Sequence, residues 1–124
     1  MTRSELVTNL RPKVPVLVTE SKNEIEDFMH FTLRPVLKFQ HATLIRCIKV
    51  APHFQHLKFK EGKETKNRTT LNQFLQKNSN LKNQLIGVTI GLFTDTELDC
   101  YERNMKELNK RIIEMAMTRF LSQV

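Results

Sequence analysis

Four histidines, two cysteines and scattered carboxylates are the side chains here that could do chemistry, and their spacing limits which chemistry that is. His53 and His56 stand three apart directly after Pro52 with no acidic residue beside them, while His30 and His41 lie in separate helical patterns. A zinc or iron centre needs three or four convergent ligands of fixed geometry. A di-iron bundle needs twinned Glu-x-x-His motifs, and the nearest approach, Asp27 to His30, has the wrong acid and no twin. No metal site is expected, and His41, between Leu37 and Leu44, reads as a hydrogen-bonded histidine at the edge of a core. Cys47 and Cys100 are too few and too distant for a disulfide framework and read as small buried thiols, although Cys47 has Arg46 and Lys49 beside it. The acids gather at helix starts (Glu24, Glu26, Asp27; Asp95, Glu97, Asp99), where the helix dipole accounts for them. No G-x-S-x-G elbow or phosphate-cradling glycine loop exists. Gly87 and Gly91, one turn apart, suggest a flat patch where another backbone approaches closely. Neither a catalytic residue nor a cofactor is expected.

Charge is more informative than any motif. Between Phe28 and Thr94 the chain has eleven Lys/Arg against only Glu61 and Glu64, a balance of +9, while residues 1–27 and 95–124 each come to −1. A one-signed block must form a positive surface or lie against an anionic partner. Candidate anion-binding residues are Lys38, Arg46 and Lys49 on one helix, with Lys58 and Lys60 in the connector that follows. That connector, residues 52–60, interleaves Phe54 and Phe59 with lysines, the combination of stacking and phosphate attraction used by single-stranded nucleic-acid sites. Its structural alternative is that Phe54, Leu57 and Phe59 plug the core while the lysines stay in water.

The elements that position these residues read as helices. At 124 residues the chain has single-domain length. Residues 1–20 read as an N-terminal arm: Leu6, Val7 and Leu10 make a turn or two of helix, Pro12 and Pro15 stop it, and Val14, Val16 and Val18 alternate as in extended chain. A helical domain is expected over residues 21–124. Ser21 with Glu24 has capping-box spacing, Pro35 predicts a kink or boundary at Arg34, and Pro52 ends the next helix. A helix over 64–77 follows, then a segment from Leu81 to Phe93 that could be a strand in its apolar half but is longer than a buried strand. Thr94 with Glu97 repeats the capping box, and Asn104 marks a break. The last helix carries two apolar stripes, and the second, Ile113, Met117 and Phe120, is a candidate dimer face. No apolar run approaches the ~20 residues needed to span a bilayer. With no signal-like segment at the N-terminus, cytoplasmic residence is the expectation.

Four strings, Leu10-Arg-Pro-Lys13, Thr32-Leu-Arg-Pro-Val-Leu-Lys38, Gly91-Leu-Phe-Thr94 and Leu108-Asn-Lys-Arg111, resemble a family of short bacterial proteins often labelled glyoxalase. The resemblance spans nearly the whole chain in order and implies an all-helical fold, with no established activity and no catalytic residues to carry over. Glyoxalase chemistry itself belongs to βαβββ modules that hold a metal with His and Glu on paired strands, and no such strands are visible here. The expectation is an all-α bundle of about five helices with an extended N-terminal arm, self-associating and without catalysis. Its function is expected to be structural or protein-interaction. The alternative is a nucleic-acid or polyanion binder using residues 34–82, and the remotest is a small metal-dependent enzyme.

Overall fold

A computed structural model describes residues 1–13 and 23–124, and among these every regular element is helical. The helices are α1 (Arg3–Leu10), α2 (Glu24–Phe28), α3 (Arg34–Phe39), α4 (His41–Lys49), α5 (Glu64–Gln76), α6 (Ser79–Ile90), α7 (Asp95–Arg103) and α8 (Met105–Leu121). A π-helical turn, Met29–Leu33, joins α2 to α3, and a 3-10 turn, Phe54–His56, follows α4. The helices outnumber the five expected for local reasons. The start of the arm is itself the regular helix α1, and residues 24–49 form one rod interrupted twice. The alternation at 14–18 and the Ser21 cap lie outside the described residues. The start of α2 is capped instead by Asn23, whose side chain accepts from the Glu26 N–H at 2.8 Å.

Pro35 explains the first interruption. It has no N–H to donate, and its ring would crowd the carbonyl four residues back. The expected kink becomes a wider turn in which the Arg34 N–H donates to the Met29 carbonyl, five residues away. The second interruption is milder. Gln40 leaves helical geometry (φ −90°, ψ 6°). Even so, its N–H still donates to Val36 and its carbonyl accepts from Leu44, both at 2.9 Å. The rod therefore keeps its helical register and presents one continuous outer face.

α8 packs against α4, α5 and α6. Its first stripe, including Leu108, Ile112 and Ala116, meets Leu37, Leu44, Ile48, Leu71, Leu75 and Leu85 in the core. The second stripe is also core. Ile113, Met117 and Phe120 are 8%, 4% and 4% exposed within the single chain. Phe120 meets Phe54 edge-on with ring centres 5.8 Å apart and Phe59 at 5.5 Å. The stripe that suggested a dimer face is thus packed within the single chain, with the connector covering Phe120. The segment from Leu81 onward is helical rather than a strand. Gly87 corrects another expectation, since a Cβ built there meets no atom within 4 Å. Among the described residues, no other element's backbone packs against that glycine. Among the described residues, no helix is long and apolar enough to cross a membrane.

Candidate anion-binding surface

The outer face of the α3–α4 rod carries Lys38, Phe39, Ala42, Thr43, Arg46, Lys49 and Val50, all exposed and at helical spacing. Apolar residues such as Leu37, Leu44 and Ile48 turn to the core. The alternation thus buries one side and leaves the other basic. No Asp or Glu occurs from Phe28 to Lys60, so no local carboxylate neutralises this face. The side chains of Lys38, Arg46 and Lys49 make no ion pair or hydrogen bond among the described residues. Phe39 is 44% exposed between them and Val50 is 77% exposed. Phe39 is not among the residues singled out from the sequence, yet its position one residue after Lys38 and seven before Arg46 places it on their face.

Lys58 and Lys60 stand on the connector, and both are exposed. Buried Asn67 grips the backbone of Lys60, accepting from its N–H at 2.9 Å and donating to its carbonyl at 2.7 Å. That pair of bonds fixes the chain while the lysine side chains remain in water. Phe54 and Phe59 face inward toward Phe74 and Phe120. The connector is therefore a core plug with a basic outer edge, and its rings are occupied.

The histidines do not converge. His53 and His56 stack with ring centres 5.7 Å apart on the exposed connector. His30 is exposed on the π-helical turn. His41 is half-buried between α4 and the end of α8, with Arg119 Nη1 at 3.4 Å from Nδ1 and the Gln123 amide at 2.7 Å from Nε2. Which ring nitrogen accepts and which donates is set by the imidazole tautomer. Among the described residues, no group of three or more His, Cys, Asp or Glu is placed to hold a metal ion. Cys47 and Cys100 are free and buried. Burial, and then the neighbouring Glu24, push the Cys100 thiol upward, away from the reactive thiolate.

A second polar centre, not anticipated from the sequence, joins α1 to the turn between α6 and α7. Arg3 donates to the carbonyls of Phe93 and Gly91, each at 2.7 Å, and Arg11 donates to Leu92 O at 2.7 Å. These carbonyls follow the end of α6, which has no basic residue in its own last turn. Arginines 81 to 90 residues earlier thus supply the positive charge that a helix C-terminus favours. Arg11 also forms a two-pronged pair with Glu97, one prong at 2.7 Å, and Thr32 Oγ1 donates to the same carboxylate at 2.8 Å. Glu97 simultaneously completes the capping box with Thr94. Burial pushes the Glu97 carboxyl up, but the bonds from Arg11, Thr94 and Thr32 outweigh it and hold the group below its ordinary value. Arg11, Thr32, Leu92 and Thr94 meet here. The centre is a structural clasp.

Comparison with protein-family models, with curated proteins and with solved structures finds no match to this chain.

Proposed function

We propose that this protein is a non-catalytic interaction module that holds single-stranded nucleic acid on the outer face of α3–α4. One observation carries the reading: exposed Phe39 lies among Lys38, Arg46 and Lys49 on a rod with no acid from residue 28 to residue 60. An unoccupied ring can stack on a base of any sequence, while the cations follow the phosphates. Lys58 and Lys60 extend the positive surface along the connector. A protein partner is the second reading, favoured by Val50, whose apolar side chain is exposed on the same face. An acidic, partly apolar protein segment would suit that surface.

Fluorescence anisotropy with a labelled single strand, at low and at near-physiological salt, tests the reading. Binding should persist at the higher salt, and log affinity should fall linearly with log salt. Lys38→Glu/Lys49→Glu should flatten that slope by roughly two and weaken binding to every sequence alike. Phe39→Ala should cost about 1–3 kcal/mol of binding, the usual worth of one stacked base. Equal weak binding by wild type and variants, vanishing at moderate salt, would overturn the proposal. Displacement of the strand by an acidic apolar peptide, with tighter binding of the peptide than of the strand, would favour the second reading.

A further inference from the structure

Arg34 opens α3, Arg68 lies within α5 and Arg119 is in the last turn of α8. The sequence separates them widely, but the packing of α8 brings all three to one cleft of about 380 Å³, lined also by Glu114, Met115 and Thr118. Arg68 reaches across the cleft, donating to Thr118 Oγ1 at 3.1 Å and toward the Glu114 carbonyl at 3.5 Å. Arg119 Nη1 lies 3.4 Å from His41 Nδ1. Arg34 has no side-chain hydrogen bond among the described residues. None of the three lies within ion-pair distance of a carboxylate among those residues.

Such a group is unfavourable as it stands. Half-burial removes water from Arg119, and the positive charge of Arg34 adds repulsion, so both effects act against its protonated form. Three guanidiniums and the single Glu114 carboxylate leave the cleft with a formal charge of +2. A phosphate monoester carries about −1.5 to −2 at neutral pH and presents three acceptor oxygens. Guanidinium forks match that geometry, and each charge-assisted bond is roughly twice as strong as a neutral one. The Thr118 hydroxyl already bonds the Glu114 carbonyl and Arg68, and so fixes the floor of the site.

We propose that the Arg34–Arg68–Arg119 cleft is a binding site for a phosphate group, whether a free phosphomonoester or the terminal phosphate of a nucleic-acid strand. The site is separate from the α3–α4 face and does not depend on that face binding anything. The test titrates inorganic phosphate into the full chain by calorimetry at constant ionic strength, with chloride making up the balance. Saturable binding at millimolar phosphate is expected. Arg34→Gln and Arg119→Gln should each weaken it by about tenfold or more, while Lys38→Glu/Lys49→Glu leaves it unchanged. Absence of saturable binding by wild type, or undiminished phosphate affinity in Arg34→Gln, would overturn the proposal. Arg34 has no side-chain bond to lose among the described residues, so its variant keeps the test valid even if Arg119→Gln unfolds.

A second arm compares 5′-phosphorylated and 5′-hydroxyl forms of one oligonucleotide. Preference for the phosphorylated form, abolished by Arg34→Gln, would place a strand end in the cleft. No preference beside retained inorganic-phosphate binding would assign the site to small phosphate compounds. Loss of the 5′-hydroxyl strand alone would count against the α3–α4 reading and leave the cleft standing.

Discussion

Arg11 and Arg119 are both drawn into the interior of this protein, and their surroundings are opposite. Arg11 finds a carboxylate and a backbone carbonyl waiting for it, although its buried Nε has no partner among the described residues. Arg119 finds an imidazole ring and, nearby, a second arginine. The first arrangement neutralises charge inside the fold and ties α1 to the α6–α7 turn. The second leaves positive charge to be met from outside. A buried guanidinium is therefore no mark of function until its acceptors are counted.

The comparison is sharpest in stability. Glu97→Ala leaves Arg11 charged and poorly partnered, and also removes half of a capping box. We expect a loss of about 3 kcal/mol in urea denaturation, the low end for breaking a buried pair. The low end applies because both side chains keep an edge in water, 10% and 16% exposed. Arg11→Met/Glu97→Leu should recover much of that loss, since apolar replacement of both partners removes the orphaned charge. A loss no larger than that of an exposed pair would break the contrast.

Acid should separate the regions next. The Glu97 carboxyl is held below its ordinary value of 4.5 in the folded chain. Its stabilisation is therefore fully present above that value and is lost as pH falls through the lower folded value. Melting temperature followed from about pH 6 to about pH 3 should drop for wild type and drop less for Glu97→Gln. Exposed Glu24, brought down to about 2 by Arg103 and then Asn104, offers a solvent-screened counterpart. Glu24→Gln should alter the acid limb less than Glu97→Gln does.

A change that touches neither region gauges the scale. Gly87→Ala should stabilise by up to about 1 kcal/mol, because helix propensity improves where the space around the glycine is open. The smallest effect should come from the cleft. Arg34→Gln should change stability without phosphate by no more than about 0.5 kcal/mol, with any gain fading as salt screens the repulsion. A loss of the size expected for Glu97→Ala would make the cleft a second structural clasp.

Much of the helical order is written locally. Thr94 and Glu97 form the capping box that their spacing announces, Asn78 caps α6, and Asn104 separates α7 from α8. Both apolar stripes of α8 were visible, but the partner of the second was not. Ile113, Met117 and Phe120 look the same whether they meet another chain or the interior of their own. The basic block was equally plain in number and silent in arrangement. Lys38, Arg46 and Lys49 share a face because helical spacing requires it, whereas Lys58 and Lys60 depend on how the connector is held by Asn67.

The sequence by itself determined the helical class, most helix ends and the sign of the middle of the chain. Those features follow from periodicity, capping and charge within a few residues. Tertiary structure alone decided which arginines are neutralised and which are not. Arg11 meets Glu97 across 86 residues, and Arg68 reaches Thr118 across 50. Such meetings arise from the packing of α8 and the docking of α1, where many weak apolar contacts set positions that no local pattern encodes. The same residue type thus becomes a clasp at one end of the chain and an open cation at the other, according to what the folded core places beside it.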